Sequence, residues 1–170
     1  PLYLDDNMLD TPSIALVLAE KEVARMGQQA LENLTVAMES LVQFDDRKVK
    51  YVDEHEAVVD ELNEDITLYL THISERGLST VLSAKHTALM HACIDLERIG
   101  DHAENVLGYA LQMKEDKRKF SDKALKNLKE LSQAVYKIYD LACEHFSNPS
   151  EELYRVIYDL EADIDKMVDK

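Results

Sequence analysis

From Ile14 to Glu115 apolar residues recur at helical spacing over three long stretches, and only two short breaks divide them. This feature leaves few folds open. Thr11-Pro12 reads as a helix start, with Thr as N-cap and Pro at the first helical position. The stripe Ile14, Leu18, Val23, Met26, Ala30, Leu34, Ala37 and Leu41 then carries a first helix to about Val42, with Gly27 inside it. Phe44-Asp45-Asp46 breaks the chain and offers a cap. A second helix, from about Arg47 to Arg76, carries Val52, Val59, Leu62, Ile66, Leu70 and Ile73, and Gly77 supplies its stop. A third starts at Ser79 and reaches about Glu115 through Leu82, Leu89, Leu96, Ile99, Ala103, Val106 and Ala110.

Polar residues 114–119 separate a fourth helix, capped by Ser121, and Ser147-Asn148-Pro149-Ser150 separates a fifth, from Glu151 to the end. With four glycines and three prolines in 170 residues, the chain lacks the turn chemistry of a sandwich or barrel. At a rise of 1.5 Å per residue, helices two and three are roughly 45 Å long. Long helices with short connections pack as antiparallel neighbours. The expected fold is therefore all-α, an antiparallel bundle of about five long helices.

The net charge is −15. Counterion release on nucleic acid or anionic lipid needs clustered Lys and Arg, so neither is expected as a main partner. An acidic surface suits cations. No run of 18 apolar residues is present, so no membrane span or direct insertion is expected, and no signal peptide is apparent. Cys93 and Cys143 both fall in helical patterns among apolar neighbours and read as free, buried and structural. The first residue is Pro1, not Met, which reads as a piece excised from a longer chain.

A short internal repeat links two helices. Glu56-Ala57-Val58-Val59-Asp60-Glu61-Leu62 aligns with Glu161-Ala162-Asp163-Ile164-Asp165-Lys166-Met167. Helices one and two thus correspond to helices four and five. A three-helix unit would then occur once completely and once without its third helix.

The chemistry lies in three carboxylate pairs, Glu56/Asp60, Glu97/Asp101 and Glu161/Asp165, each spaced i, i+4. That spacing puts like charges on one helix face, where they repel by roughly 0.2–0.5 kcal/mol per pair. Glu56 lies on the apolar line Val52–Val59, and Glu161 lies among Tyr154, Ile157 and Ile164. Met90, Cys93, Glu97, Asp101 and Glu104 border the third helix's apolar stripe. Carboxylates aimed at a seam need compensation, and few cationic side chains are placed to give it. A bound cation in an all-oxygen site is the natural alternative. All six acids are expected to face inward. Gly100 would allow close approach at a helix-propensity cost of about 1 kcal/mol.

Other chemistries find little support. A di-iron bundle of the ferritin type needs E-x-x-H, and no glutamate here has His three residues later. His102 follows Asp101 and is at most a peripheral ligand. No P-loop, G-x-G-x-x-G, G-x-S-x-G or Cys/His nucleophile arrangement occurs. The expectation is no enzyme, no catalytic residue and no organic cofactor. Tyr136, Tyr139, Tyr154 and Tyr158 read as core or partner contacts.

Asp95-Leu96-Glu97-Arg98-Ile99-Gly100-Asp101-His102-Ala103-Glu104-Asn105-Val106 closely resembles the signature of the PhoU family of phosphate-regulatory proteins. Arg25-Met26-Gly27 and Glu56-xxx-Asp60 also look like that family's pattern. The resemblance covers the chain from about Ala15 onward. It implies two three-helix repeats and metal clusters on paired E(D)xxxD motifs. Here it implies metal, either iron or Mg, Mn or Zn, at Glu56, Asp60, Glu97 and Asp101, and a second site at Glu161 and Asp165. The sixth helix, which should complete that second site, is absent from this sequence.

Tyr3-Leu4-Asp5, Leu9, Thr11-Pro12 and Ala15-Leu16 together resemble the segment joining the membrane part of bacterial sodium/phosphate cotransporter-like proteins to their PhoU-like C-terminal domain. The expected division is a linker at 1–11, a first three-helix unit at 12–116, and two helices of an incomplete second unit at 117–170 packed on it. The resemblance implies a non-enzymatic regulatory domain in phosphate homeostasis, on the cytoplasmic side of the membrane. Its expected partners are its own upstream transporter segment or another phosphate transporter, with a homodimer covering the incomplete unit. The competing readings are a metal-free helical adaptor and a free-standing PhoU-type regulator.

Overall fold

The computed structural model describes residues 1–168. Five helices follow a short 3-10 turn at Asp6–Met8: α1 (Pro12–Val42), α2 (Asp46–Ser74), α3 (Thr80–Glu115), α4 (Asp122–Ser147) and α5 (Glu151–Val168). No strand occurs among the described residues. The all-α expectation holds, and so do the helix ends, because capping chemistry sets most of them. The Asp45 carboxylate accepts the Arg47 N–H and opens α2. Ser121 does the same for the Ala124 N–H at α4. Gly77, at φ +76°, takes the left-handed conformation that ends a helix at low steric cost. Thr11 departs from expectation: it precedes the N1 proline, but its side chain makes no capping hydrogen bond.

The chain divides into two compact units, Pro1–Ala110 and the part from Leu111 onward. In the first unit α1 and α2 pack on each other after a three-residue connection, which makes them antiparallel. Leu16, Met26, Val52, Val59, Ile66, Leu70, Ile73, Leu89 and Cys93 are fully buried. At roughly 1.5–3 kcal/mol for each large aliphatic side chain, this core dominates the unit's stability. Leu70 accepts at its carbonyl a 2.9 Å hydrogen bond from the His86 ring, and Gly100 lies against Glu56. These two contacts fix one antiparallel register between α2 and α3. Lys85 Nζ bonds Glu20 at 2.7 Å and ties α3 to α1.

The stretch read above as a linker lies on this unit. The Glu22 carboxylate, fully buried on α1, accepts the Leu2 and Tyr3 N–H groups at 2.8 and 2.6 Å and pairs with Arg25. Burial pushes its pKa up, but the two backbone donors and Arg25 outweigh that and hold it below the usual carboxylate value. Tyr69 Oη donates to the Asp5 carbonyl at 2.8 Å, and Leu9 is buried.

In the second unit α4 and α5 form a helical hairpin. Both are amphipathic, yet Ala134 is the only buried residue on either helix among those described. Tyr154, Val156 and Tyr158 are exposed, and Tyr136 and Tyr139 are half-buried. Cys143 is exposed, contrary to expectation, whereas burial drives the Cys93 thiol up to about 12.

Candidate metal centre

Glu56 is the chemical anomaly of the first unit. It sits mid-helix on α2 and is only 6% exposed. Its carboxylate occupies the space that a side chain at position 100 would fill: a Cβ on Gly100 would lie 2.8 Å from both Glu56 oxygens. The glycine thus makes room for the carboxylate between α2 and α3. From α1, Asn33 Nδ2 donates to Glu56 Oε2 at 3.3 Å. Burial raises the Glu56 pKa to about 7, and the negative charges of Asp60, Glu104 and Asp101 push the same way. Arg98, one residue from Glu97 in sequence, is exposed and stands 3.9 Å from Asp95 instead.

The register fixed by Leu70–His86 and Glu56–Gly100 sets Asp60 at the level of Glu97 on α3. Two of the three expected pairs therefore share one region of the bundle, on adjacent helices. They do not all face inward. Glu56 is buried, Glu97 is half-buried, and Asp60 and Asp101 are exposed. In a three-helix bundle the i and i+4 positions diverge by about 40° around the axis (four residues at 3.6 per turn), so one acid of a pair reaches the seam while the other stays at its mouth. Among the described residues, no three carboxylate, imidazole or thiol groups stand close enough together to hold a metal ion as they lie.

Glu161 and Asp165 are both exposed on α5. The inward orientation expected of them is not found, for a physical reason. Glu56 is buried because α3 brings Gly100 against it, and the second unit contains no third helix among its described residues. His102 is exposed, as is His91, while His86 serves packing through Leu70.

Sequence reasoning missed Asn33, whose side chain is fully buried. Leu34 fits the apolar stripe by spacing, but the buried line runs Met26, Ala30, Asn33, Ala37, Ser40. An asparagine in an i, i+3, i+7 apolar series was the available signal.

The same region carries the family match. The PhoU domain model matches residues 23–110, which contain Asn33, Glu56, Asp60, Gly100 and Asp101. The chain belongs to the PhoU domain family. Among relatives, YjbB of Salmonella typhimurium, named for inorganic phosphate export, is 28% identical over 148 residues, covering 86% of this chain and 27% of that protein. YjbB of Escherichia coli K12 is 27% identical over the same coverage. The phosphate-specific transport system accessory protein PhoU homolog 1 of Thermotoga maritima is 28% identical over 156 residues, covering 91% of this chain and 66% of that protein. This PhoU domain thus spans about a quarter of the YjbB proteins and just under two thirds of the Thermotoga one. No solved structure matches the chain. No described helix is long and apolar enough to cross a membrane.

The residues present suit a hard cation. The charged groups acting on Glu56, Asp60, Glu104 and Asp101, are all carboxylates, and oxygen ligands favour Mg, Mn or Ca over thiolate-seeking metals. Gly100 leaves room for the carboxylate, and the exposed acids Asp60, Asp101 and Glu104 stand at the mouth where side chains turn without disturbing the core.

Proposed function

We propose that this PhoU domain is a non-enzymatic regulatory module of phosphate homeostasis that acts on a phosphate transporter and binds metal through Glu56, Asp60, Glu97 and Asp101. Supporting the regulatory part is the family match over residues 23–110, together with relatives named for phosphate export and for a phosphate transport accessory protein. The single observation behind the metal is the buried Glu56 carboxylate, held among like charges against Gly100. A divalent ion would supply the missing positive charge and link α2 to α3. Iron, Mn, Mg and Zn are the ions to test.

In this reading residues 1–11 lead from the membrane part of a sodium/phosphate cotransporter-like protein, and the domain works on the cytoplasmic face of the membrane. The docking of this stretch on Glu22 and Tyr69 supports a fixed connection that passes on changes in α1 and α2. A free-standing regulator of the same family remains the second reading, favoured by the larger share of the Thermotoga relative that is matched. Glu161 and Asp165 would form a second site only when a third helix covers them, from a second copy or from further chain.

The test has two arms. Protein purified without chelator should carry metal by mass spectrometry, and Glu97→Ala/Asp101→Ala should lose it; unchanged metal would sink the assignment. Protein that carries no metal, and whose melting temperature is unmoved by added ions, would favour a metal-free adaptor. In cells, the same double substitution in the parent gene should alter phosphate flux at unchanged protein level. Unaltered flux would contradict the regulatory role.

A further inference from the structure

The donor set around Glu56 extends beyond carboxylates. Asn33 is fully buried, and its two polar atoms differ in their surroundings. Nδ2 donates to Glu56 Oε2, while Oδ1, fixed beside it in the same carboxamide, is buried without any hydrogen-bond partner. An unsatisfied buried acceptor costs roughly 1–3 kcal/mol. Leucine or alanine would fill that slot of the α1 stripe at no such cost. An acceptor with no donor, on the side chain that contacts the buried Glu56 carboxylate, is one that a cation would satisfy.

The level of the bundle supports this. Asn33 on α1, Glu56 on α2 and Gly100 on α3 meet at one height, so that all three helices converge there. Asp101 is the next residue on α3. Neither end of the carboxamide is charged, so Asn33 adds an oxygen without adding repulsion to an already negative cluster.

We propose that Asn33 Oδ1 is a cation ligand supplied by α1, which makes the centre a three-helix site and biases it toward hard divalent ions such as Mn and Mg. This rests on the metal-binding reading above. Amide and carbonyl oxygens suit Mg, Ca and Mn, and contribute little to the affinity of softer ions. The site would then clamp α1 to α2 and α3, whereas paired carboxylates alone would bridge only α2 and α3.

The experiment is a calorimetric titration with Mn²⁺ and with Mg²⁺, on protein stripped by chelator and checked by circular dichroism. Asn33→Leu should weaken Mn²⁺ about 10- to 100-fold, the usual range for losing a supporting metal contact. Asn33→Asp restores an oxygen and should keep the wild-type affinity or tighten it. If Asn33→Leu binds Mn²⁺ as tightly as wild type while Glu97→Ala/Asp101→Ala does not bind, Asn33 is no ligand and the metal site stands without it. If wild type binds neither ion, both readings fall. A measurement on wild type alone covers the case of an unfolded variant: with ¹⁵N-labelled asparagine, the Asn33 side-chain resonance should shift along the Mg²⁺ binding curve. A resonance that stays fixed while Mg²⁺ binds would overturn the proposal.

Discussion

Glu56 shows how one side chain ties stability to function. Its folded-state pKa of about 7 lies above the unfolded value near 4.5. Between those values the folded protein holds a proton that the unfolded chain has lost. Stability from this group is therefore fully present below about pH 4.5 and lost as pH rises toward 7. Metal-free protein should be less stable at pH 8 than at pH 5 by on the order of 2 kcal/mol from this residue. Urea titrations at the two pH values check this, and Glu56→Gln should remove most of the difference. An equal difference in the variant would place the pH dependence elsewhere. The proposed metal binding should run the other way and strengthen above pH 7, because Glu56 must first lose its proton.

Residues such as these mark the limit of what was legible in the sequence. Glu56 and Gly100 could be singled out because a charge in an apolar line and a glycine in mid-helix both break a local pattern. Asn33 and Glu22 break it too, but each has an apolar neighbour in sequence, Leu34 and Val23, that fits the same stripe. A helical period cannot separate adjacent positions one residue apart until the packing partner is known.

At the scale of elements, helix ends were readable where a side chain or a backbone conformation fixes them locally, as at Asp45, Gly77 and Ser121. The inward face of α5 was not readable, because orientation depends on a neighbouring helix. The α2–α3 contact itself makes a prediction. Gly100→Ala should gain about 1 kcal/mol of helix propensity. Its new Cβ would displace the Glu56 carboxylate, which lies 2.8 Å from that point. The carboxylate is the end of a flexible chain and can turn aside, but doing so gives up its buried hydrogen bond from Asn33, so the two effects roughly cancel. The expected outcome is a melting temperature close to wild type with weaker Mn²⁺ binding. A variant with wild-type affinity would show that the close approach of α2 and α3 is packing alone.

At the scale of the molecule, the two units differ in how much they bury. The first has a continuous aliphatic core across three helices, and the second has a hairpin with one buried alanine among its described residues. Opening free energy follows buried apolar contact. Amides of α4 and α5 should therefore exchange with solvent much faster than those of α2, with residues 52–73 the slowest, as hydrogen-exchange mass spectrometry can measure. Equal protection in both units would contradict this difference. The same contrast explains why the repeat between Glu56/Asp60 and Glu161/Asp165 yields one enclosed carboxylate and one exposed pair.

The proposed cation sits in the first unit, where α1, α2 and α3 converge. Anomalous diffraction from crystals grown with Mn²⁺ tests it most directly. The expected result is a peak about 2.0–2.4 Å from a Glu56 oxygen, within reach of Asp60, Glu97 and Asp101. A structure with Mn²⁺ elsewhere, or with no peak beside Glu56, would contradict it.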